Sequence, residues 1–98
     1  MKNRPKRFPT AVCNDGFEMS VQAHRGAYCN PDNDIGPWTS VEIGFPNRKE
    51  RLLMPFAENP DEPTNTVYGW VPQNILWDVI LKHGGLREGC LIPTTSAT

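Results

Sequence analysis

The sequence predicts a small α+β domain: a small antiparallel sheet of four to five short strands with one C-terminal α-helix packed on one face. Three observations predict it. Residues 17–23 and 39–45 alternate apolar and polar side chains with the period of half-buried strands. Residues 72–83 carry apolar side chains at the i, i+3, i+4 spacing of an amphipathic helix. Ten prolines and eight glycines in 98 residues break the remainder into short elements and long loops. A chain of this length builds one hydrophobic core and is too short for two.

The elements follow in order. Residues 1–7 are basic and lack hydrophobic spacing, as a flexible tail does, so the domain is expected over 8–86. Asn14-Asp15-Gly16 lies between Ala11-Val12-Cys13 and the stretch 17–23 and tolerates the positive φ of a tight loop, which predicts a β-hairpin. In its second arm Phe17, Met19, Val21 and Ala23 point to the core, while Glu18, Ser20, Gln22 and His24 point to water. Residues 25–37 are rich in turn formers and predict a long loop. Thr39, Val41, Ile43 and Phe45 form the inner face of the next strand. Leu52-Leu-Met-Pro-Phe56 reads as a sheet edge or bulge, because Pro55 cannot donate to a ladder. The acidic, proline-interrupted stretch 58–66 predicts an exposed loop, and Val67-Tyr-Gly-Trp-Val71 a strand.

The final helix is the clearest local signal. Pro72 suits a first helical position, Ile75, Leu76, Val79 and Ile80 form a buried stripe, and Asp78 and Lys82 make a favourable i, i+4 pair on the other side. Trp77 and Leu81 widen the apolar face, either as core or as the edge of an interface, which leaves a dimer open. Lys82 and His83 suit the negative end of the helix dipole, and Gly84-Gly85 the helix stop. Residues 87–98 are expected to be poorly ordered.

Composition narrows the function. No run is long and apolar enough for a membrane span, and the N-terminus lacks the apolar stretch of a secretory signal, so a cytoplasmic protein is expected. Lys2, Arg4, Lys6 and Arg7 cluster in the tail. Ten basic residues less these four leave six against eleven acidic ones, a net of −5 over residues 8–98. Such a body repels phosphate backbones and disfavours nucleic acid. Cys13, Cys29 and Cys90 are an odd number with no C-x-x-C pair, as expected of free thiols.

Catalytic and metal motifs fall away on inspection. His24 with Cys29 lacks the paired spacing of a zinc site. Asn30, Asp32 and Asp34 match the start of an EF-hand loop, but Ile35 stands where its glycine belongs and Val41 where its glutamate belongs, so no metal or cofactor is expected. There is no G-x-S-x-G and no phosphate-cradling glycine loop, because Gly84-Gly85 follows a helix instead of preceding one. A reactive Cys29 paired with His24 is the residual enzymatic reading; otherwise the chain reads as a non-enzyme. Aromatic and basic surface remains. Arg25, Tyr28, Trp38, Glu42, Arg48, Lys49 and Arg51 form the candidate binding surface, with Trp38 and Glu42 on the outward parity of their strand. Tyr68 and Trp70 share a face and are the weaker candidates, since packing under the helix explains them as well.

Five ordered stretches, Phe17-Glu-Met-Ser-Val-Gln-Ala23, Tyr28-Cys-Asn-Pro31, Val41-Glu-Ile-Gly-Phe-Pro46, Thr66-Val-Tyr-Gly-Trp-Val-Pro72 and His83-Gly-Gly85, resemble a group of small uncharacterised proteins carried by bacteriophages and prophages. The resemblance covers most of residues 8–86. It implies a protein of the bacterial host cytoplasm that inhibits a host defence or regulatory complex by occupying it, in the manner of anti-defence or anti-CRISPR proteins. Two alternatives are a domain that sequesters a nucleotide-like signalling molecule between aromatics and arginines, and a small virion or assembly protein. Relatives of this group tend to carry a basic residue after Cys-x-Pro where this chain has Asp32, which argues against a loop that grips an anion.

Overall fold

The computed structural model describes residues 7–94. Four strands, β1 (Ala11–Val12), β2 (Glu18–Gln22), β3 (Ser40–Gly44) and β4 (Val67–Pro72), form one antiparallel sheet in the order β1-β2-β3-β4. A 3₁₀ helix, Arg51–Phe56, precedes β4, and α1, Gln73–Lys82, follows it directly. This is the expected α+β class with one C-terminal helix. No helix among the described residues is long and apolar enough to cross a membrane.

Register explains the core. Ala11 pairs with Met19, Val21 with Ile43 and Val41 with Val71, and directly opposed residues share a face. These apolar residues join Leu53 of the 3₁₀ helix and Leu76, Val79 and Ile80 of α1 in one buried cluster. Ile75 is only partly buried, while Trp77 and Leu81 lie exposed on the outer side of the helix.

The second face of the sheet departs from expectation. Ser40, Glu42 and Gly44 are buried along with their apolar neighbours. The reason is polar: the side chains on this face act as substitutes for backbone. Gln22 Oε1 accepts the Arg7 and Phe8 amides at 2.8 and 2.9 Å, and its Nε2 donates to the Phe8 carbonyl at 2.6 Å. Glu42 Oε1 accepts the Tyr28 amide at 2.8 Å, and Asn30 forms a bridge with Ser40. The face expected to be wet is thereby covered by the long loop, which lies over the sheet as a second layer.

Three boundaries also differ. Leu52–Phe56 is a 3₁₀ helix and not an edge strand, because Glu50 caps it: its side chain accepts the Leu52 amide at 2.9 Å and its carbonyl the Leu53 amide at 3.0 Å. Pro72 is the extended residue before α1 (φ −61°, ψ 150°), shared with β4, and not the first helical residue. Residues 87–94, expected as a loose tail, have partners. Arg87 donates to the Val12 carbonyl at 2.9 Å, Thr94 accepts the Trp38 amide at 3.2 Å, and Pro93 accepts Gln73 Nε2 at 3.3 Å. Bonding to Val12 satisfies the outer edge of β1, a place where an open strand would invite association. Residues 1–6 of the expected basic tail and 95–98 of the expected C-terminal tail lie outside the described residues.

Candidate binding groove

Two sites stand out, one closed and one open. The closed site is a clasp built by three distant segments. The Asn14-Asp15-Gly16 loop meets the end of α1: the Asn14 amide donates to Gly85 at 2.9 Å, the Asp15 amide to His83 at 3.2 Å, and Asn14 Nδ2 to Gly84 at 2.7 Å. His83 lies stacked on Phe17 with ring centroids 4.1 Å apart. Its Nδ1 faces Asp15 Oδ2 and its Nε2 faces Glu50 Oε1, both at 2.7 Å. Each ring nitrogen is thus within hydrogen-bond distance of a carboxylate oxygen. Glu50 Oε2 takes Lys82 Nζ at 2.8 Å, and Arg48 reaches Asp15 at 3.4 Å.

Electrostatics follow from this geometry. Burial pushes the Glu50 carboxyl up, but Lys82, the Leu52 amide and His83 together outweigh it and hold it below its usual range. Asp15 is held down by the Phe17 amide first and by His83 second. Both ring nitrogens of His83 are occupied, so none is left to take a proton from a substrate or to ligate a metal. The clasp is a structural device.

The cysteines are similarly quiet. Burial raises the Cys13 and Cys29 thiols, and both side chains are nearly inaccessible. Cys29 Sγ lies 3.4 Å from the His24 carbonyl, while the His24 ring turns Nδ1 toward the Arg25 carbonyl at 2.8 Å. A buried, raised thiol is the reverse of an activated nucleophile. Among the described residues no group of His, Cys, Asp and Glu side chains is arranged to hold a metal.

The open site lies at β4. Val41 pairs with Val71 and Ile43 with Tyr68, so Gly69 and Trp70 together stand opposite Glu42 alone, which is a β-bulge. Trp70 has φ +50°, a left-handed conformation that bulges normally give to glycine and that costs a bulky residue about 1–3 kcal/mol. The bulge turns the indole outward: Trp70 is 51% exposed while Tyr68, two residues earlier, is fully buried. The Trp70 ring stacks on Tyr28, with centroids 4.8 Å apart and planes 20° from parallel, and the Trp70 amide donates to the Tyr28 carbonyl at 3.0 Å. Gly69 lies directly against Tyr28, where a Cβ would meet that side chain at an ordinary contact distance of 3.4 Å. Tyr28, Phe56, Glu58, Gly69 and Trp70 line an open groove of about 270 Å³.

The sequence candidates are therefore redistributed. Tyr28 and Trp70 come together in the groove. Tyr68 is core, its hydroxyl donating to the Pro63 carbonyl. Trp38, expected on the surface, is buried at 8% exposure, with Nε1 donating to the Asn33 carbonyl at 3.2 Å and Phe8 packed edge-on against it. Glu42, also expected outward, is buried beneath the loop that its own carboxylate secures. Arg25 is exposed, with its amide held by Asp34 at 2.8 Å. Arg48, Lys49 and Arg51 are exposed, but Arg48 belongs to the clasp and none of the three lines the groove. Phe56 and Glu58 were not foreseen. The one sequence signal for Phe56 is its apolar run, which its neighbour Leu53 satisfies by burial. No protein-family model, curated protein or solved structure matches the chain.

Proposed function

We propose that this chain is a non-catalytic binding protein that acts by occupying a partner protein, with the Tyr28–Trp70 groove as its contact surface. One observation carries the reading: a half-exposed tryptophan is held at φ +50°, where glycine would be strain-free. The left-handed backbone there favours glycine, which supports a role for the exposed part of the indole beyond the fold. Large rigid aromatics anchor interfaces at low entropic cost. Together with the resemblance to phage and prophage proteins, this supports inhibition of a host defence or regulatory complex in the bacterial cytoplasm.

Affinity purification from the bacterial host tests it. The wild-type chain should retain one host complex, and Trp70→Ala should lose it while staying folded. Retention by Trp70→Ala at wild-type levels sinks the reading. Capture of a nucleotide-like signal is the second reading, and the flat Tyr28–Trp70 pair is the observation in its favour. It predicts a thermal shift with a nucleotide panel that disappears in the same variant.

A further inference from the structure

We infer that the groove takes a cationic side chain, an arginine or lysine presented on a basic segment of the partner; this rests on the binding role proposed above. The lining decides the chemistry. Three of its five residues, Tyr28, Phe56 and Trp70, present aromatic surface, and the one charged side chain is Glu58. The face of an aromatic ring carries negative potential and attracts guanidinium or ammonium groups, tryptophan most strongly. Glu58 is the acidic residue of the same wall. Its amide donates to the Val67 carbonyl at 2.9 Å, which fixes the backbone that carries it beside β4. Asp61 and Glu62 follow in the same exposed loop, so a chain leaving the groove on that side meets more negative charge.

An anionic group is opposed by Glu58, and the lining supplies no basic side chain to hold one. A purely apolar occupant makes no use of Glu58, whereas a cation can pair with it. Arginine fits best, because its planar guanidinium lies flat on an indole while its edge donates to a carboxylate.

Fluorescein-labelled peptides with a Gly-Ser frame and a central Arg, Lys, Glu or Leu triplet give the test, read by anisotropy and by the Trp70 indole N–H resonance of the intact chain. The Arg peptide should move that resonance and bind about tenfold more tightly than the Leu peptide, with the Glu peptide weakest. Glu58→Lys should abolish the preference for Arg over Leu. Preference for the Leu or Glu peptide, or an Arg preference that survives in Glu58→Lys, overturns the inference. So does failure of the Arg peptide to move the Trp70 signal. None of these results touches the binding role itself, which is judged separately by loss of the host complex in Trp70→Ala.

Discussion

The clasp and the groove place opposite demands on the same small fold. At the clasp every charged group has a counterpart, and rings, carboxylates and helix end interlock. At the groove a tryptophan is strained, half exposed, and stacked on a residue from a distant loop. The first arrangement makes sense as stability alone; the second does not. Their contrast supports the proposed division between scaffold and binding surface. The two are also joined. Glu50, which caps the 3₁₀ helix, belongs to the clasp, and Phe56 at the other end of that helix lines the groove. Six residues of 3₁₀ helix span roughly 12 Å.

Removing the keystone of the clasp should have the largest effect. Glu50 is 2% exposed and accepts from Leu52, Lys82 and His83. Glu50→Ala leaves a buried helix cap and a ring nitrogen unpartnered, while Lys82, half exposed, can return to water. A loss of about 2–4 kcal/mol is expected from urea denaturation. A loss below that range would mean the network is ornament, and the contrast with the groove would fail.

Acid should act on the same residues. Both Glu50 and Asp15 are held below their ordinary values of 4.5 and 3.8. The unfolded chain therefore binds protons first as pH falls, and stability rises with pH through that window. Their contribution is fully present above about pH 4.5, and declines as pH drops through the ordinary values toward the lower folded ones. Denaturation midpoints measured between pH 6 and pH 3 should show this slope, and Glu50→Ala should show a shallower one. Equal slopes would assign the acid sensitivity elsewhere.

At Trp70 two substitutions separate strain from contact. Trp70→Ala loses the stack on Tyr28, worth about 0.5–1.5 kcal/mol, and keeps the left-handed backbone. Trp70→Gly loses the same stack but relieves the strain. The glycine variant should therefore be the more stable by about 1 kcal/mol, and partner binding should vanish in both. An alanine variant as stable as the glycine variant would show that the bulge carries no strain, and would remove the main support for a functional indole.

What was legible in the sequence is what depends on neighbours along the chain. The hairpin around Asn14-Asp15-Gly16, the strand at 40–44 and the helix stripe Leu76, Val79 and Ile80 all follow from local periodicity. Parity counting failed at Trp38 and Trp70 for two different reasons. At Trp38 the outward face exists, but Gln22 and Glu42 recruit backbone amides from remote segments and so cover it. At Trp70 the pleat is interrupted, so the shared face expected for Tyr68 and Trp70 dissolves at the bulge. The clasp was invisible because its members lie at positions 15, 50 and 83, and only tertiary folding assembles them. Its separate parts did leave traces: a loop aspartate, a glutamate ahead of an apolar run, and a histidine at a helix stop.

Arg48 gives the smallest expected effect and the sharpest division between the two regions. Sequence alone places it among the binding candidates, whereas its contacts are Asp15 at 3.4 Å and the Phe17 ring at 5.9 Å. The pair is exposed by 51% and 41% on its two sides, so water and salt screen it, and such pairs contribute little to stability. Arg48→Ala should leave the urea midpoint close to that of the wild-type chain, with full retention of the host complex that Trp70→Ala loses. Loss of the complex in Arg48→Ala at unchanged stability would move the proposed binding surface to the clasp side of the molecule, because neither Asp15 nor Phe17 lines the groove.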